Sequence, residues 1–524
     1  MKNAMGTESY EVIDPKRWVE HLNKELLPFW TTADAIGIDG KFPTFRYRDG
    51  SIVNAKLELK DEYEQLKKDQ AFWIVDRLDR TYIRMISRQT YLYGIAYHIN
   101  GNEEMLMLAK KGVNFILSLQ EPNGSFPSWI AKEKCCPKLE ERTSQDLAYA
   151  LLGPALYYYL TRDDDVLKQI ILAKNYIFEK YWDNEWGGLR WIQTDFTDEP
   201  DVHEYTQKEL VAQLDQVNAY MMLLIPILPE KEKTEWINDL FKIADSIEKF
   251  YDLENNLFWG RLTQEEKKLN GYHVDFGHTV KSFWMLYLIE KKFGKKALVP
   301  WVEKESILEK VDRVFKEAFI VEEGTWGEKK LNIQEISKNK VWWIHAELSQ
   351  LAVTIGLQQN PEYIKKYFIP ACNFWFSKFV DQEHHSVWHM IQADTSTPIF
   401  PKAHLWKNGY HSFEHALIGL IVSHAINKQE INLFFGFNKI PEKEQMTLYY
   451  FENNGIEVKE IENFSSDELS ELKKQKVSFH MQINERHSMT HLFDAQRQAL
   501  SKEKEEEPVS EHLVQDNTLC KLLW

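Results

Sequence analysis

The sequence is poor in cysteine and has no long apolar run. Its four cysteines show neither metal-ligand spacing nor a disulfide framework: Cys135, Cys136, Cys372 and Cys520. Crossing a bilayer takes ~18–20 apolar residues, and the best run here is AYMMLLIPIL at 219–228. The opening MKNAMGTESYEV lacks the apolar core of a signal peptide. We therefore expect plain thiols, no membrane partner and a cytoplasmic location.

Basic charge and nucleotide motifs are also lacking. The formal net charge is −16, which argues against nucleic acid as a partner because phosphate binding needs a basic face. There is no Walker A run and no GxGxxG. No compact metal-ligand motif is present either, so we expect no metal and no cofactor. The acidic block 503–507 resembles glutamate-rich translocation signals of type IV secreted effectors, which makes secretion a second hypothesis for location.

What the chain does contain is a repeat of long helices. Strand alternation is largely absent before residue 440, while apolar residues recur at helical spacing, as in LDRTYIRMISRQTYLYGIAYHI at 78–99. Six turns rich in glycine or aromatic residues interrupt the helices. Their markers lie 84, 63, 73, 67 and 61 residues apart: Gly40, Gly124, Gly187, Gly260, Gly327 and Trp388. A period near 65 residues fits two helices of about 20 residues with their connections.

This repeat predicts an all-α fold, an (α/α)6 barrel of twelve helices over residues 14 to 430. Inner helices that are apolar on more than one face should begin near residues 80, 140, 205, 273, 338 and 405. The helix at 14–30 completes the outer layer, and 55–77 is an insertion. The predicted domains are a catalytic barrel (1–435), a small β-containing extension (436–484) and a flexible acidic tail (485–524). Strand-like runs in the extension are TLYYFE (447–452), GIEVKEI (455–461) and KVSFHMQI (476–483).

Each predicted inner helix carries one polar residue in step with the repeat. These residues are Arg88, Asp146, Asn218, His278, Glu347 and His411. A single buried polar residue is more often structural than catalytic, but six in phase indicate a central cavity with convergent polar groups. We expect them at a common depth. We also expect His278 and His411 on neighbouring inner helices, facing one cavity.

Four segments resemble the N-acylglucosamine 2-epimerase family, which includes cellobiose 2-epimerases and aldose–ketose isomerases acting on mannose. They are RMISRQTYLYG (84–94), VDFGHTVKSFWML (274–286), VWWIHAELSQ (341–350) and HLWKNGYHSFEHALIG (404–419). The resemblance spans roughly residues 15 to 430. It implies a twelve-helix α/α barrel, in agreement with the repeat.

The resemblance also implies roles for residues. His278 and His411 would remove and return the C2 proton of an open-chain sugar, since histidine titrates near neutrality, and Arg88 would lie near the charge of the enediolate. Glu347 would orient a histidine or bind hydroxyls. Trp343 and Trp406 offer faces for a sugar ring, although packing is an equally good reading of both. The other substrate-binding candidates are Asn218, Asp146, His345 and Glu414.

The chain departs from the family pattern at several positions. Lys281 stands where glutamate is common, and Glu414 stands where arginine is expected. Histidines are often found at the positions of Tyr220 and Met222, the second being associated with opening of the sugar ring. Glu414 and His415 lie one turn from His411, so either could orient it. These departures leave the substrate and the ring-opening step open.

Three functions fit the sequence. The first is a cofactor-independent sugar 2-epimerase or aldose–ketose isomerase that acts on a small-molecule sugar. The second is a glycoside hydrolase or lyase on the same architecture, with the carboxylates of Asp146 and Glu347 in place of the histidines. The third is a catalytically inactive sugar-binding or partner-binding protein. A homodimer is also left open.

Overall fold

The computed structural model describes residues 12–68, 72–131, 142–193, 208–262, 275–295, 306–331 and 335–481. Three of the cysteines, Cys135, Cys136 and Cys520, lie outside the described residues. The predicted tail at 485–524, with its acidic block, also lies outside them.

Twelve helices, α1 to α12, alternate between an outer and an inner layer over the described residues. The inner helices are α2 (Ile83–Asn100), α4 (Ser144–Thr161), α6 (Leu210–Gln216, Val217–Met221, Met222–Leu224 and Ile225–Ile227), α8 (Phe276–Phe293), α10 (Trp342–Gln358) and α12 (Tyr410–Ile426). The outer helices are α1 (Pro15–Glu20, His21–Leu26 and Leu27–Trp30), α3 (Glu103–Ser118), α5 (Asp164–Tyr181), α7 (Glu230–Glu248), α9 (Ile307–Ala318) and α11 (Ile364–Phe368, Ile369–Phe374 and Trp375–Phe379).

The inner helices form a closed ring. Each one packs against the next along the chain, and α12 packs against α2. Each inner helix also packs against an outer helix, so it is covered on both sides, and every residue of α4 is buried. In α6 the window Leu210–Ile227 is long and apolar enough to cross a membrane, but 94% of it is buried inside the fold. The predicted barrel is confirmed, and the apolar character of its inner helices is explained by this double covering.

Three of the six turns become short antiparallel hairpins that lead from an outer helix towards the next inner helix. Trp182–Asp183 pairs with Gly188–Leu189, Tyr251–Asp252 with Leu257–Phe258, and Phe319–Ile320 with Thr325–Trp326. Because these hairpins precede the amino ends of the inner helices, all six amino ends emerge at one end of the barrel. We call this end the mouth.

The predicted insertion lies at the mouth. It contains the helices Asp61–Lys68 and Phe72–Val75. Its apolar residues join a second core, separate from that of the barrel, together with residues that border the mouth, including Tyr82, Trp129 and Leu405. The insertion therefore packs as an added layer on the rim.

The extension after α12 is a three-stranded antiparallel sheet. Its strands are β1 (Ile431–Phe437), β2 (Gly455–Asn463) and β3 (Lys473–His480), in the order β1-β3-β2. Two of the predicted strands are confirmed. The prediction of a strand at 447–452 is wrong, because Leu448 and Phe451 only form an isolated bridge around a tight turn. The turn residues Tyr449 and Tyr450 are buried, so this run is apolar because it enters the barrel.

A substitution at Gly419 in α12 tests the contact between this inner helix and the outer helix α1. A Cβ at this position would overlap the indole of Trp18 in α1, which is 1% exposed and packs against His415 and Phe376. Gly419→Ala should therefore lower the free energy of unfolding by ~1–3 kcal/mol through overpacking, although alanine favours a helix. Urea unfolding measures this.

Gly455 provides the control for that substitution. A Cβ there meets only ordinary contacts with His480, at 3.4 Å or more, so Gly455→Ala should change the free energy of unfolding by less than ~0.5 kcal/mol. Equal losses in both variants would show that α1 does not press on α12 at Gly419.

Candidate active site

Side-chain contacts link the six in-phase residues into one cluster inside the inner ring, and we call the part of the ring that this cluster faces the cavity. Asp146, His278 and His411 lie in the first turn of their helices, whereas Arg88 and Glu347 lie in the second. Asn218 is the ninth residue of α6. The common depth stays a prediction, because the position of a residue along its helix does not fix its depth in the barrel when the helices begin at different residues of the repeat.

His278 is held by the residue that caps its helix. The carboxylate of Asp275 accepts the backbone N–H of His278 through Oδ1, and its Oδ2 lies 2.7 Å from the ring Nδ1. An aspartate at an N-cap commonly satisfies a backbone donor, and here it also sets the ring orientation. In a neutral imidazole, a proton on Nδ1 that is donated to Asp275 leaves the lone pair on Nε2.

Trp343 lies between the two histidines. Its ring centroid is 4.6 Å from that of His278 and 6.1 Å from that of His411. Gly277 makes room for it, because a Cβ on Gly277 would overlap the indole. Trp343 belongs to α10, which separates α8 from α12 in the ring. The prediction that the histidines occupy neighbouring helices is therefore wrong, yet both of them border the same indole.

His411 faces two carboxylates. Its Nδ1 is 3.6 Å from Oε1 of Glu347 and 3.9 Å from Oε2 of Glu414. Nδ1 of His411 and Oε1 of Glu347 are buried and make no hydrogen bond within the described part of the chain. Burial and the nearby cations Lys281 and Arg88 hold the pKa of His411 well below its usual value. His411 is therefore neutral at pH 7 and able to accept a proton.

Lys281 forms a buried ion pair with Asp215. Both side chains are 3% exposed, and the ammonium Nζ is 2.9 Å from Oδ1 of Asp215. The same carboxylate accepts hydrogen bonds from Gln145 and Tyr149, at 2.7 and 2.9 Å. Burial lowers the pKa of Lys281, but the charge and hydrogen bond of Asp215, together with the charges of Tyr149 and Glu347, raise the pKa overall. Lys281 is therefore a permanent cation inside the ring.

Glu347 and Glu414 are two buried carboxyls whose charges act on each other. Oε2 of Glu347 accepts the indole N–H of Trp284 at 2.8 Å, and Oε1 of Glu414 accepts the hydroxyl of Tyr449. Burial raises the pKa of both carboxyls, and that of Glu414, which also faces the Glu347 charge, reaches about 7. The cation of Lys281 opposes both increases.

Two arginines one turn apart on α2 hold the loop that leads to α12. Nε of Arg84 donates to the carbonyl of Leu405 at 3.1 Å, and Arg88 donates to the carbonyl of Trp406 at 2.9 Å. Arg84 also binds Asp146 at 2.6 Å and lies 3.6 Å from the ring centroid of Trp406. Asp146 and Trp406 are thus engaged with Arg84, while the Arg88 guanidinium lies over the rings of Tyr149 and Tyr410.

Two imidazoles are not brought to the cavity. His345 bonds to Thr325 through Nε2 and packs against Phe374 and Phe379 of α11. His415 packs against Trp18 and Trp375 of the outer layer. A helix turns by 100° per residue, so both rings point outwards although neighbours of theirs point inwards. Glu414, and not His415, is the residue close to His411.

The remaining positions belong to α6. Asn218 donates from Nδ2 to the hydroxyl of Tyr410 at 2.6 Å, and this places it behind His411. Tyr220 packs its ring against Trp236 of the outer helix α7, and Met222 is buried. The imidazole expected at position 222 is thus replaced by an apolar side chain.

Sequence reasoning missed Asp275, Arg84, Asp215 and the tyrosines of the extension. Asp275 could have been found, since an aspartate three residues before a histidine at a helix start is a capping signal. Arg84 lies one turn before Arg88, a spacing that places both on one face. Tyr449 carries no local signal, because a distant segment brings it into the barrel.

The model of the N-acylglucosamine 2-epimerase (GlcNAc 2-epimerase) family matches residues 73–417. The chain belongs to this family. Family membership makes it an isomerase, of the carbohydrate epimerase class, that acts on a small-molecule sugar. No curated protein matches the chain.

Solved structures of similar fold come from sugar-converting enzymes. A cellobiose 2-epimerase from Spirochaeta thermophila DSM 6192 has a TM-score of 0.63 at 16% identity, covering 79% of this chain and 97% of that one. A cellobiose 2-epimerase from Bacillus thermoamylovorans B4167 has a TM-score of 0.60 at 14% identity, covering 78% and 99%. A D-mannose isomerase has a TM-score of 0.62 at 14% identity, covering 78% and 98%. At such identities the likeness establishes the shared fold.

Lys281→Met tests the buried ion pair. It leaves the Asp215 charge without its cation, which should lower the free energy of unfolding at pH 7 by about 3–5 kcal/mol. Burial then raises the pKa of Asp215 above its unfolded value, so the folded variant takes up a proton as the pH falls. The deficit relative to the wild type should therefore be smaller at pH 5 than at pH 7, as measured by urea unfolding at both.

Lys168→Met serves as the control, since Lys168 pairs with Asp165 where their side chains are 71% and 89% exposed. Because solvent screens this exposed pair, Lys168→Met should lower the free energy of unfolding far less than Lys281→Met does, and equally at both pH values. A Lys281→Met deficit that is the same at pH 5 and pH 7 would contradict the electrostatic role of this lysine.

Proposed function

We propose that the protein is a cofactor-independent sugar 2-epimerase or aldose–ketose isomerase that moves the C2 proton of an open-chain sugar between two histidines. The observation that carries this proposal is the placement of His278 and His411 around Trp343, each with its Nδ1 near a carboxylate. A carboxylate on Nδ1 favours the tautomer with a lone pair on Nε2. The neutral tautomer has the form that a general base needs, and a carboxylate at Nδ1 also stabilises the imidazolium form of the histidine that acts as the acid.

The reaction requires a base and an acid at C2. One imidazole Nε2 takes the C2 proton, the electron pair moves towards the carbonyl oxygen, and an enediolate forms. The second imidazole enters this step as imidazolium, with a proton on Nε2. Transfer of that proton to the opposite face of C2 gives the epimer and leaves this imidazole neutral, whereas return of the first proton to C1, with the O2 proton moving to O1, gives the ketose. The lowered pKa of His411 keeps it neutral, which is the form in which it begins the reaction as the base.

Fixed cations near the cavity support the charged intermediate. Arg88 lies over Tyr149 and Tyr410 on one side, and Lys281 acts on His411 and Glu347 from another. A cation that is held in place before the reaction stabilises charge that develops in the transition state. Arg88 donates one hydrogen bond to a backbone carbonyl, that of Trp406, and its guanidinium has further N–H groups for a substrate oxygen. The ammonium of Lys281 is instead paired with the carboxylate of Asp215.

The carboxylate alternative has weaker support. Asp146 is bound by Arg84 at 2.6 Å, and Glu347 is bound by Trp284 on one oxygen and faces His411 with the other. A hydrolase needs one carboxylic acid and one carboxylate on opposite sides of a glycosidic bond. Here the acidic groups serve cationic or imidazole partners instead.

Substitution of the two histidines tests the proposal. In deuterated water, the protein is incubated with N-acetylglucosamine, D-mannose and cellobiose, and deuterium at C2 is followed by NMR. His278→Asn and His411→Asn should each lower net conversion by ~10²–10⁴-fold, the usual contribution of general acid–base catalysis, with sugar binding changed only a few-fold. One of the two variants should retain exchange, because a single base can remove and return protons on its own face.

Two further variants complete this experiment. Arg88→Ala should depress exchange and conversion together, since it acts on charge common to both transition states. His384→Asn, on a side chain that is 41% exposed, should leave both unchanged. Wild-type turnover in both histidine variants, on a sugar that the protein converts, would exclude the two-histidine mechanism and direct attention to Glu347 and Glu414.

A further inference from the structure

The extension closes the end of the barrel opposite the mouth. Tyr97 donates to the carbonyl of Phe435 at 2.6 Å, and Tyr159 donates to the carbonyl of Thr447 at 2.6 Å. Arg162, at the end of α4, donates to the carbonyl of Gln445. These donors come from the carboxyl-terminal parts of α2 and α4, so the inner ring itself anchors the extension.

The turn at 448–451 reaches further, up to the residues of the cavity. Tyr450 donates to the backbone carbonyl of Asn218 at 3.2 Å and packs against Trp284, with ring centroids 5.6 Å apart. Asn218 and Trp284 are each the ninth residue of their helix. The turn therefore lies at the middle of the barrel, against Asn218 and Trp284.

Tyr449 connects this turn to Glu414. Its hydroxyl donates to Oε1 of Glu414, so in the 2.6 Å contact between the two phenols Tyr91 is the donor and Tyr449 the acceptor. The backbone N–H of Tyr449 is held by the hydroxyl of Tyr159 at 3.2 Å. Its φ of 50° lies in the left-handed region, which is uncommon for an aromatic residue. The surrounding contacts thus hold Tyr449 in an unfavourable backbone conformation.

We propose that Tyr449 is a positioning residue for the reaction: it holds the Glu414 carboxylate ionised and directed at Nδ1 of His411. This inference rests on the proposed function. It goes beyond the family match, which ends at residue 417, because it makes the extension a part of the catalytic unit. Tyr449 acts through Glu414, and Glu414 in turn acts on the histidine.

The groups that face Glu414 set its titration. They come from five parts of the fold: Lys281 of α8, Glu347 of α10, Tyr410 and His411 of α12, Tyr91 of α2, and Tyr449 and Tyr450 of the extension. Glu347 favours the protonated form of Glu414, whereas Lys281 and the hydroxyls of Tyr449 and Tyr410 favour the ionised form. Removing the Tyr449 hydroxyl therefore raises the pKa of Glu414.

Tyr449→Phe tests the proposal, with Tyr97→Phe as the matched control. Each removes one buried hydroxyl that binds the extension, but Tyr449 bonds to Glu414 whereas Tyr97 bonds to the carbonyl of Phe435. The full-length proteins are compared by the pH dependence of kcat/KM for C2 exchange in the sugar that the wild type accepts. A lost hydrogen bond of ~1 kcal/mol corresponds to roughly 0.5–1 pH unit, so the acid limb should move up by that amount in Tyr449→Phe and stay in place in Tyr97→Phe.

A second measurement does not depend on activity. The pKa of Glu414 is higher in the folded state than in the unfolded state, so the free energy of unfolding decreases as the pH rises from the unfolded to the folded pKa. Tyr449→Phe raises the folded pKa further, so the decrease should continue to higher pH. Its deficit in thermal unfolding relative to the wild type should grow between pH 6 and pH 9, while that of Tyr97→Phe should stay constant.

The two measurements separate the possible failures. Absence of C2 exchange in the wild type would refute the proposed function, and the stability series would still test the link between Tyr449 and Glu414. An exchange-competent protein whose Tyr449→Phe profile coincides with that of the wild type would overturn the positioning role. Equal shifts in Tyr449→Phe and Tyr97→Phe would also overturn it, because a purely structural effect of the extension would then account for both.

Discussion

The electrostatics of the cavity depend on the ammonium of Lys281. This ammonium is paired with Asp215 and is 3% exposed, so it is a fixed positive charge inside the closed ring. It lowers the pKa of His411 and opposes the effect of burial on Glu347 and Glu414. Without it, two buried carboxyls would face each other with no permanent positive charge from α8. This lysine therefore helps to keep a neutral imidazole beside ionisable carboxyls.

The charge arrangement gives meaning to two departures from the family pattern. Lys281 stands where the resemblance predicts a glutamate, and Glu414 stands where it predicts an arginine. The two positions carry opposite charges that act on each other across the ring. The exchange of signs keeps one cation and one acid around His411, so the departures are compatible with proton transfer at this histidine.

The sequence was sufficient to predict the barrel, because a repeat of about 65 residues with helices apolar on several faces has few other solutions. It also placed Arg88, His278, Glu347 and His411 around one cavity. It could not place His345 and His415, since the side of an inner helix that faces outwards is as apolar as the side that faces its neighbours. The pairing of Lys281 with Asp215 and the entry of Tyr449 depend on contacts between distant segments, which no local pattern reports.

The central claim is that C2 of an open-chain sugar lies between His278 and His411. The most direct measurement is a crystal structure of the protein with a linear hexitol, mannitol or glucitol, which mimics the open chain and cannot react. In that structure C2 should lie between the two imidazole Nε2 atoms, with its hydrogen directed at one and its hydroxyl within hydrogen-bonding range of the other. The hexitol chain should pack against Trp343, with one oxygen near Arg88. A hexitol whose C2 lies next to Asp146 or Glu347, and out of reach of both histidines, would contradict the two-histidine mechanism.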